Sequence, residues 1–388
     1  MKKISQKIMI VFGTRPEAIK MAPVIFELKK NGFWVKVIIS SQHQHLLDDV
    51  LKVFAIRPDY DLKVMVENQT LFHITETVLK RIEPILLKEK PDLLMVHGDT
   101  TTTLAAALAA FYRHIPVAHV EAGLRTGDRD NPYPEEMNRL LTDDLTDIYF
   151  APTETARQNL LKENKDPKKI VVVGNTVIDA LLSVARKDIV VSQPLRKVFS
   201  KIWARQKIVL LTAHRRENFG KPLEEIFQAV KKIAAEFSEI EIIYPVHPNP
   251  NVHQPASKIL AGSKNIHLIT PLNYLDIVAI LKKCYLVITD SGGLQEEAPS
   301  LGKPVLVLRR KTERPEAVLA GTVKLLGNQY TAVYSGIKKL LTDDKMYQKM
   351  SKAVNPYGDG KAAERIVHYL KFYFGLSRNK PREFRPNG

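Results

Sequence analysis

Residues 7–20 read Lys7-Ile8-Met9-Ile10-Val11-Phe12-Gly13-Thr14-Arg15-Pro16-Glu17-Ala18-Ile19-Lys20. A short apolar run ends in a glycine, and a proline follows three residues later. That order describes a buried strand turning tightly into a helix, because glycine permits the turn and proline is pre-organised for the first helical position. The same alternation recurs along the chain, which is the signature of α/β units around a parallel sheet. The pattern places strands at 7–12, 34–40, 92–97, 116–120, 148–150 and 170–173. Helices fall between them at 17–30, 71–88, 101–112, 135–145 and 153–163.

A helix from Val177 runs into 187–201, which mixes charge, serine and proline without a strong period and reads as a linker. The alternation then restarts, with strands at 208–211, 240–245, 266–269, 286–289, 304–308 and 323–325. Helices are expected at 223–237, 274–283, 294–301 and 330–341. A last helix at 361–374 precedes a basic tail expected to fray. The 388 residues therefore read as two Rossmann-like domains. The first covers 1–186 and the second 187–365, with the terminal segment from about 366 to 388 expected to rejoin the first. Ligands bind beyond the carboxyl ends of strands in such sheets, so the site is expected in the cleft between the domains.

Composition narrows the classes. The chain is 45% hydrophobic and 26% charged, ordinary for a globular protein. The single cysteine, Cys284, excludes an internal disulfide and fits a reducing cytoplasmic setting. The run at 8–12 is too short for a signal segment, and no stretch approaches the ~18–20 apolar residues of a membrane span. The net charge of +16 calls for an anionic ligand, a nucleic acid or a solvated basic surface. Lysines are spread rather than striped and no aromatic stacking array accompanies them, so no nucleic acid is expected.

The polar signals sit where strands end. Arg15 lies at a helix N-terminus, where free N–H groups and a guanidinium fork can receive an anion, and Lys20 follows one turn later. No G-x-G-x-x-G occurs, and Gly302-Lys303 runs into Pro304 rather than Ser or Thr, so a dinucleotide fingerprint and a phosphate-binding P-loop are both missing. Asp99 follows Val96-His97-Gly98, Glu121 follows His119-Val120, and Glu135 follows Asn131-Pro132-Tyr133-Pro134. Each could be a helix cap. Three carboxylates converging on one cleft point instead to acid–base work, because crowding and burial separate their proton affinities.

In the second half, His214 and Arg215 follow one strand and His247 follows the next. Thr289-Asp290-Ser291-Gly292-Gly293 follows a third, a small-residue turn able to cradle a diphosphate. Glu297 could accept ribose hydroxyls, and Arg314 is placed for the same phosphates. His43 and His45 with Asp48 and Asp49 are badly spaced for a metal, as are His247 and His253, so no metal or redox cofactor is expected.

Taken together, these blocks resemble the non-hydrolysing UDP-N-acetylglucosamine 2-epimerases. The resemblance is carried by Gly13-Thr14-Arg15-Pro16-Glu17, His97-Gly98-Asp99-Thr100 and Glu121-Ala122-Gly123-Leu124-Arg125. It continues through Pro134-Glu135-Glu136-Met137-Asn138-Arg139, His214-Arg215-Arg216-Glu217, Asp290 to Glu297 and Thr312-Glu313-Arg314-Pro315-Glu316-Ala317. It implies a B-type glycosyltransferase-like arrangement of the two domains with the active site in the cleft. It further implies reversible conversion of UDP-N-acetylglucosamine to UDP-N-acetylmannosamine, by elimination of UDP to a 2-acetamidoglucal and its return. Asp99, Glu121, Glu135 and His214 match the family's catalytic residues. Arg15, Lys20, Arg139, His247, Ser291, Gly292, Gly293, Glu297 and Arg314 match its substrate-binding set. UDP-N-acetylglucosamine and UDP are the implied partners, and a homodimer is the implied assembly.

One block departs from the pattern. Many members bind a second UDP-N-acetylglucosamine as activator through a Gln-His-Arg-Gln-Met-Leu-Asp string and an Arg before Gln-Thr-Leu. Here Gln42 remains, but His45 replaces the second glutamine and Asn68 replaces the arginine. A charge-assisted contact is lost, so weakened activation is expected. The competing readings are an epimerase of a diacetamido uronic acid UDP-sugar, a glycosyltransferase, a hydrolysing epimerase and a non-catalytic UDP-sugar sensor.

Overall fold

The computed structural model describes residues 5–41, 44–202 and 206–386, and the chain divides into two compact units. Unit one comprises Met1–Ala180 and Tyr357–Pro386, and unit two Leu181–Pro356.

Unit one runs β1 (Lys7–Phe12), α1 (Arg15–Lys30), β2 (Trp34–Ile39), α2 (Gln44–Val53), β3 (Tyr60–Asp61), α3 (Leu71–Glu89) and β4 (Leu93–His97). It continues with α4 (Thr101–Tyr112), β5 (Val117–Val120), α5 (Glu135–Asp144), β6 (Ile148–Ala151), α6 (Glu154–Lys162), β7 (Ile170–Val172) and α7 (Thr176–Ala185). Its seven strands pair in parallel in the order β3-β2-β1-β4-β5-β6-β7. The strand sequences are nearly unbroken apolar runs because helices cover both faces; β4 and β5 are buried at every position. Helices α3, α4 and α6 start on side-chain caps. Thr70, Thr100 and Thr153 each accept the backbone N–H three residues on, satisfying a donor the helix itself leaves open.

Unit two runs α8 (Gln193–Phe199), β8 (Lys207–Thr212), α9 (Lys221–Glu236), β9 (Ile240–Pro245), α10 (Pro250–Leu260), β10 (Ile266–Ile269) and α11 (Tyr274–Lys283). There follow β11 (Leu286–Thr289), α12 (Gly292–Glu297), β12 (Val305–Val307), α13 (Pro315–Leu319), β13 (Val323–Leu325), α14 (Tyr330–Thr342) and α15 (Asp344–Ser351). The last helix, α16 (Ala362–Tyr373), belongs to unit one. Unit two's six strands are also parallel, in the order β10-β9-β8-β11-β12-β13.

Both sheets are therefore doubly wound, as the alternation implied. In each, the order reverses beside the first strand, between β1 and β4 in one and between β8 and β11 in the other. Those reversals leave crevices at the strands' carboxyl ends.

Two expectations are corrected. The stretch 187–201 is not a featureless linker, because it contains α8. Leu195 and Val198 lie three apart and are both buried, a one-turn apolar face too short to register as a period. The basic tail does not fray. The Phe384 N–H donates to the Val172 carbonyl at 2.8 Å, its ring is buried in a cluster with Ala151, Leu160 and Val172, and Glu383 pairs with Arg157. Burying one phenylalanine contributes about 1.5–3 kcal/mol, enough to hold a short tail. The tail's charges hid this anchor. The division into units falls within α7 and before Tyr357. The whole of α16 is fastened to unit one: Asp179 accepts the Ala362 and Ala363 N–H groups, and Lys371 reaches Asn31 at 2.6 Å.

Candidate active site

In unit one the carboxyl ends of β1, β4 and β5 carry the charged residues. Glu17, 3% exposed, accepts N–H from Gly13 (3.0 Å) and Thr14 (2.7 Å) and hydroxyls from Thr100 (2.9 Å) and Thr103 (3.1 Å). Burial pushes its carboxyl above the ordinary range, against those hydrogen bonds. It fastens the Gly13–Thr14 turn that leads into Arg15 to the start of α4 just after Asp99, a role the sequence reading did not assign.

Asp99 is held by Arg139, whose Nε and Nη2 donate to one carboxylate oxygen at 3.0 and 2.7 Å. The third arm of that guanidinium bonds buried Glu136 at 2.8 Å, and Asn138 donates to the Asp99 carbonyl at 2.9 Å. Thr100, not Asp99, caps α4, so the Asp99 carboxylate is not used up as a cap. Arg139 can bridge two carboxylates because its donors form a planar fork, which lysine lacks.

Glu121 stands in the left-handed region at φ 70°, costly for a residue with a side chain. Its Oε2 is salt-bridged to Lys20 and receives Asn175 at 2.8 Å. The same oxygen lies 3.9 Å from Nε2 of His97. His97 is 2% exposed, and neither ring nitrogen has a hydrogen-bond partner. Burial drives its pKa down to about 3, so the ring is neutral beside the ion pair. Glu135 opens α5, and its buried Oε2 also has no hydrogen-bond partner. An unsatisfied buried carboxylate oxygen costs stability and marks a place where a ligand group can bond. His97, Glu136 and Asn175 were missed as site residues; His97 and Glu136 lay inside the quoted motifs, whereas Asn175 follows β7 with no local signal.

In unit two, Asp290 is fully buried at the end of β11. Its Oδ2 accepts the N–H groups of His214 and Arg215, both at 2.8 Å, and the Asn218 amide at 3.1 Å. Its Oδ1 lies 3.5 Å from Nδ1 of His214. Burial lowers the His214 pKa, with the Asp290 carboxylate working in the opposite sense. His214 stacks on exposed His247 with ring centroids 5.6 Å apart. The Ser291 N–H is tied to Thr289 Oγ1 at 2.9 Å, leaving Ser291-Gly292-Gly293 at the mouth of the turn. A Cβ on Gly292 would lie 3.8 Å from Nη2 of Arg314 and 4.0 Å from Nη2 of Arg215, so two guanidinium groups face the same bare backbone. Arg314 is salt-bridged to buried Glu296, and a Cβ on Gly293 would lie 3.8 Å from Oε2 of Glu297. Bare backbone flanked by two arginines suits a diphosphate.

Asn68 is exposed at φ 55°, two residues before α3's cap Thr70. Gln42 and the His45 side chain lie outside the described residues. Among the described residues, no group of three or more His, Cys, Asp or Glu side chains is placed to hold a metal, and no helix is long and apolar enough to cross a membrane.

Two doubly wound parallel sheets, one ending in paired and unpaired carboxylates and the other in a glycine turn faced by arginines, define an acid–base enzyme with an anion-binding unit. The family described as UDP-N-acetylglucosamine 2-epimerase matches residues 27–371, and the chain belongs to it. It is 51% identical to the UDP-N-acetylglucosamine 2-epimerase of Bacillus subtilis over 385 residues, covering 99% of both chains. It is 54% identical to that of Escherichia coli K12, covering 94% of this chain and 98% of the relative. The Neisseria meningitidis UDP-GlcNAc 2-epimerase, solved bound to UDP-GlcNAc, superposes with a TM-score of 0.86 at 48% identity, covering 94% of this chain and 99% of that one.

Proposed function

We propose that the protein interconverts UDP-N-acetylglucosamine and UDP-N-acetylmannosamine without releasing free sugar. Full-length relatives at about half identity carry that activity in their names. The observation that carries the chemistry is Glu121, on a strained backbone and paired with Lys20, beside neutral His97 and in the same unit as Arg139-held Asp99 and Glu135, whose buried Oε2 has no hydrogen-bond partner.

Inverting C2 requires a proton to leave one face and return to the other, so at least two acid–base groups are needed. Asp99, Glu121 and Glu135 supply them in this reading. UDP leaves as the C2 proton is lost, giving a 2-acetamidoglucal, and re-adds as a proton returns to the other face. The charge on the departing diphosphate is met by Arg215 and Arg314 at Gly292, with Arg15 and His214 acting on the same substrate. Ser291 and Gly293 complete the diphosphate cradle, Glu297 receives the ribose, and His247 stacks behind His214. Arg139 acts on the substrate through Asp99. A cytoplasmic location and the homodimeric assembly that the resemblance implies belong to the same proposal.

Proton NMR of the protein with UDP-N-acetylglucosamine tests it. Appearance of UDP-N-acetylmannosamine, and the same final mixture from the other epimer, is the expected result. Free N-acetylmannosamine would mean hydrolysis, and an unchanged spectrum would mean a sensor or another UDP-sugar; either overturns the proposal.

A further inference from the structure

His119, on β5, is fully buried and makes two contacts. Its Nδ1 lies 2.7 Å from Oδ1 of Asp143, and its Nε2 lies 2.8 Å from the carbonyl of Gly98. Both partners are acceptors. A carbonyl can only accept, and the Asp143 carboxylate already receives the Arg125 guanidinium at 2.6 Å and the Gly123 N–H at 3.2 Å on its other oxygen. A neutral imidazole has one N–H and could satisfy only one of the two. Burial acts to raise the Asp143 carboxyl, but His119 and Arg125 outweigh it and hold the group ionised. Arg125 is itself paired with Glu163 at 2.7 Å, so the four side chains form a charge-balanced set.

The contacts reach both catalytic loops. Gly98 immediately precedes Asp99 and sits at φ 68°; its carbonyl is fixed by His119, which orients the peptide plane leading into Asp99. Gly123 lies two residues beyond Glu121, and its N–H is fixed by Asp143. One buried pair thus ties down the backbone on either side of two acid–base carboxylates while touching neither of them.

We propose that His119, held as a buried imidazolium by Asp143, is a positioning residue that sets the loops carrying Asp99 and Glu121. The proposal rests on the epimerase reading for its kinetic arm only. Glutamine places an N–H₂ near the histidine Nε2 position, and asparagine places one near Nδ1. His119→Gln keeps the donor to Gly98, whereas His119→Asn keeps the one to Asp143 and frees the Gly98 carbonyl. Misplacing a catalytic group by about 1 Å costs on the order of 100-fold in rate. His119→Asn is therefore expected to lower kcat by ~10- to 100-fold with KM changed less than about threefold, and His119→Gln to recover most of that loss. UDP affinity, set in unit two, should stay at the parent value in both variants. Equal kcat in the two variants, or joint loss of kcat and UDP binding, would overturn the assignment. Nitrogen-15 NMR of the unmutated protein reads the ring directly, whether or not the variants fold or the substrate is correct. Protons on both His119 nitrogens at neutral pH are expected, and a neutral tautomer overturns the proposal.

Discussion

Asp290 is the hub of unit two, and its replacement gives the most detailed expectation. One carboxylate oxygen receives three donors. His214 and Arg215 are partly or fully exposed, so water can replace the carboxylate at their N–H groups, and losing each bond costs about 0.5–1.5 kcal/mol. Asn218 is fully buried, and its amide nitrogen keeps only the Leu308 carbonyl at 3.1 Å. Stranding its other N–H costs about 1–3 kcal/mol. Asp290→Ala should therefore lower unfolding stability by on the order of 4 kcal/mol. Asp290→Asn keeps one acceptor and loses charge assistance alone, for about 1–2 kcal/mol. The Asn variant also has a pH signature. The Asp290 carboxylate opposes the downward effect of burial on His214, so removing its charge lowers the His214 pKa further. If neutral His214 serves the reaction, the acid limb of kcat moves to lower pH. Urea unfolding and a pH–rate profile measure both effects. Stability of Asp290→Ala within about 1 kcal/mol of the parent would refute the hub argument. An acid limb that stays put or moves up would refute its electrostatic half.

Three further outcomes are expected. Burial raises the Asp179 carboxyl from 3.8 to about 6, so its ionised form is disfavoured in the folded state. Its contribution is full below 3.8 and is lost as pH rises through about 6; Asp179→Asn should gain relative to the parent across that window by ~2–3 kcal/mol, read from paired unfolding curves, and a constant difference would contradict it. Gly123 sits at φ 83°, and an added Cβ would lie 2.3 Å from the Ala156 carbonyl oxygen. Gly123→Ala should cost about 2–5 kcal/mol from the left-handed conformation plus overpacking, and unchanged urea unfolding would contradict that. With Asn68 in place of the arginine that the resemblance implies, initial rates against UDP-N-acetylglucosamine should be close to hyperbolic, and strong sigmoidicity would refute a weakened activator contact.

The sequence made the architecture readable because parallel strands are buried on both faces and appear as uninterrupted apolar runs. Strands such as Ile240–Pro245 and Leu286–Thr289 were delimited by pattern alone. The two-residue strand Tyr60–Asp61 and the helix Gln193–Phe199 were not, since neither is long enough to show a period. Loop residues after strands were legible as candidates because ligands bind beyond the carboxyl ends of parallel strands, where these residues sit. Their partners were not. Nothing local says that His119 reaches the Gly98 carbonyl, or that Asn175 from beyond β7 bonds Glu121. Those contacts depend on strand order, which brings β4, β5, β6 and β7 side by side only in the folded sheet. Phe384 was hidden for the opposite reason: a single apolar anchor among basic residues reads as solvated tail.

The central claim is that this chain removes and returns the C2 proton of its substrate. Incubation with UDP-N-acetylglucosamine in heavy water, followed by proton NMR, tests it most directly. The expected result is UDP-N-acetylmannosamine carrying deuterium at C2, with exchange abolished in Asp99→Asn if that carboxylate handles the proton. Product that retains the original C2 proton, or no loss of the C2 signal at all, would contradict the account.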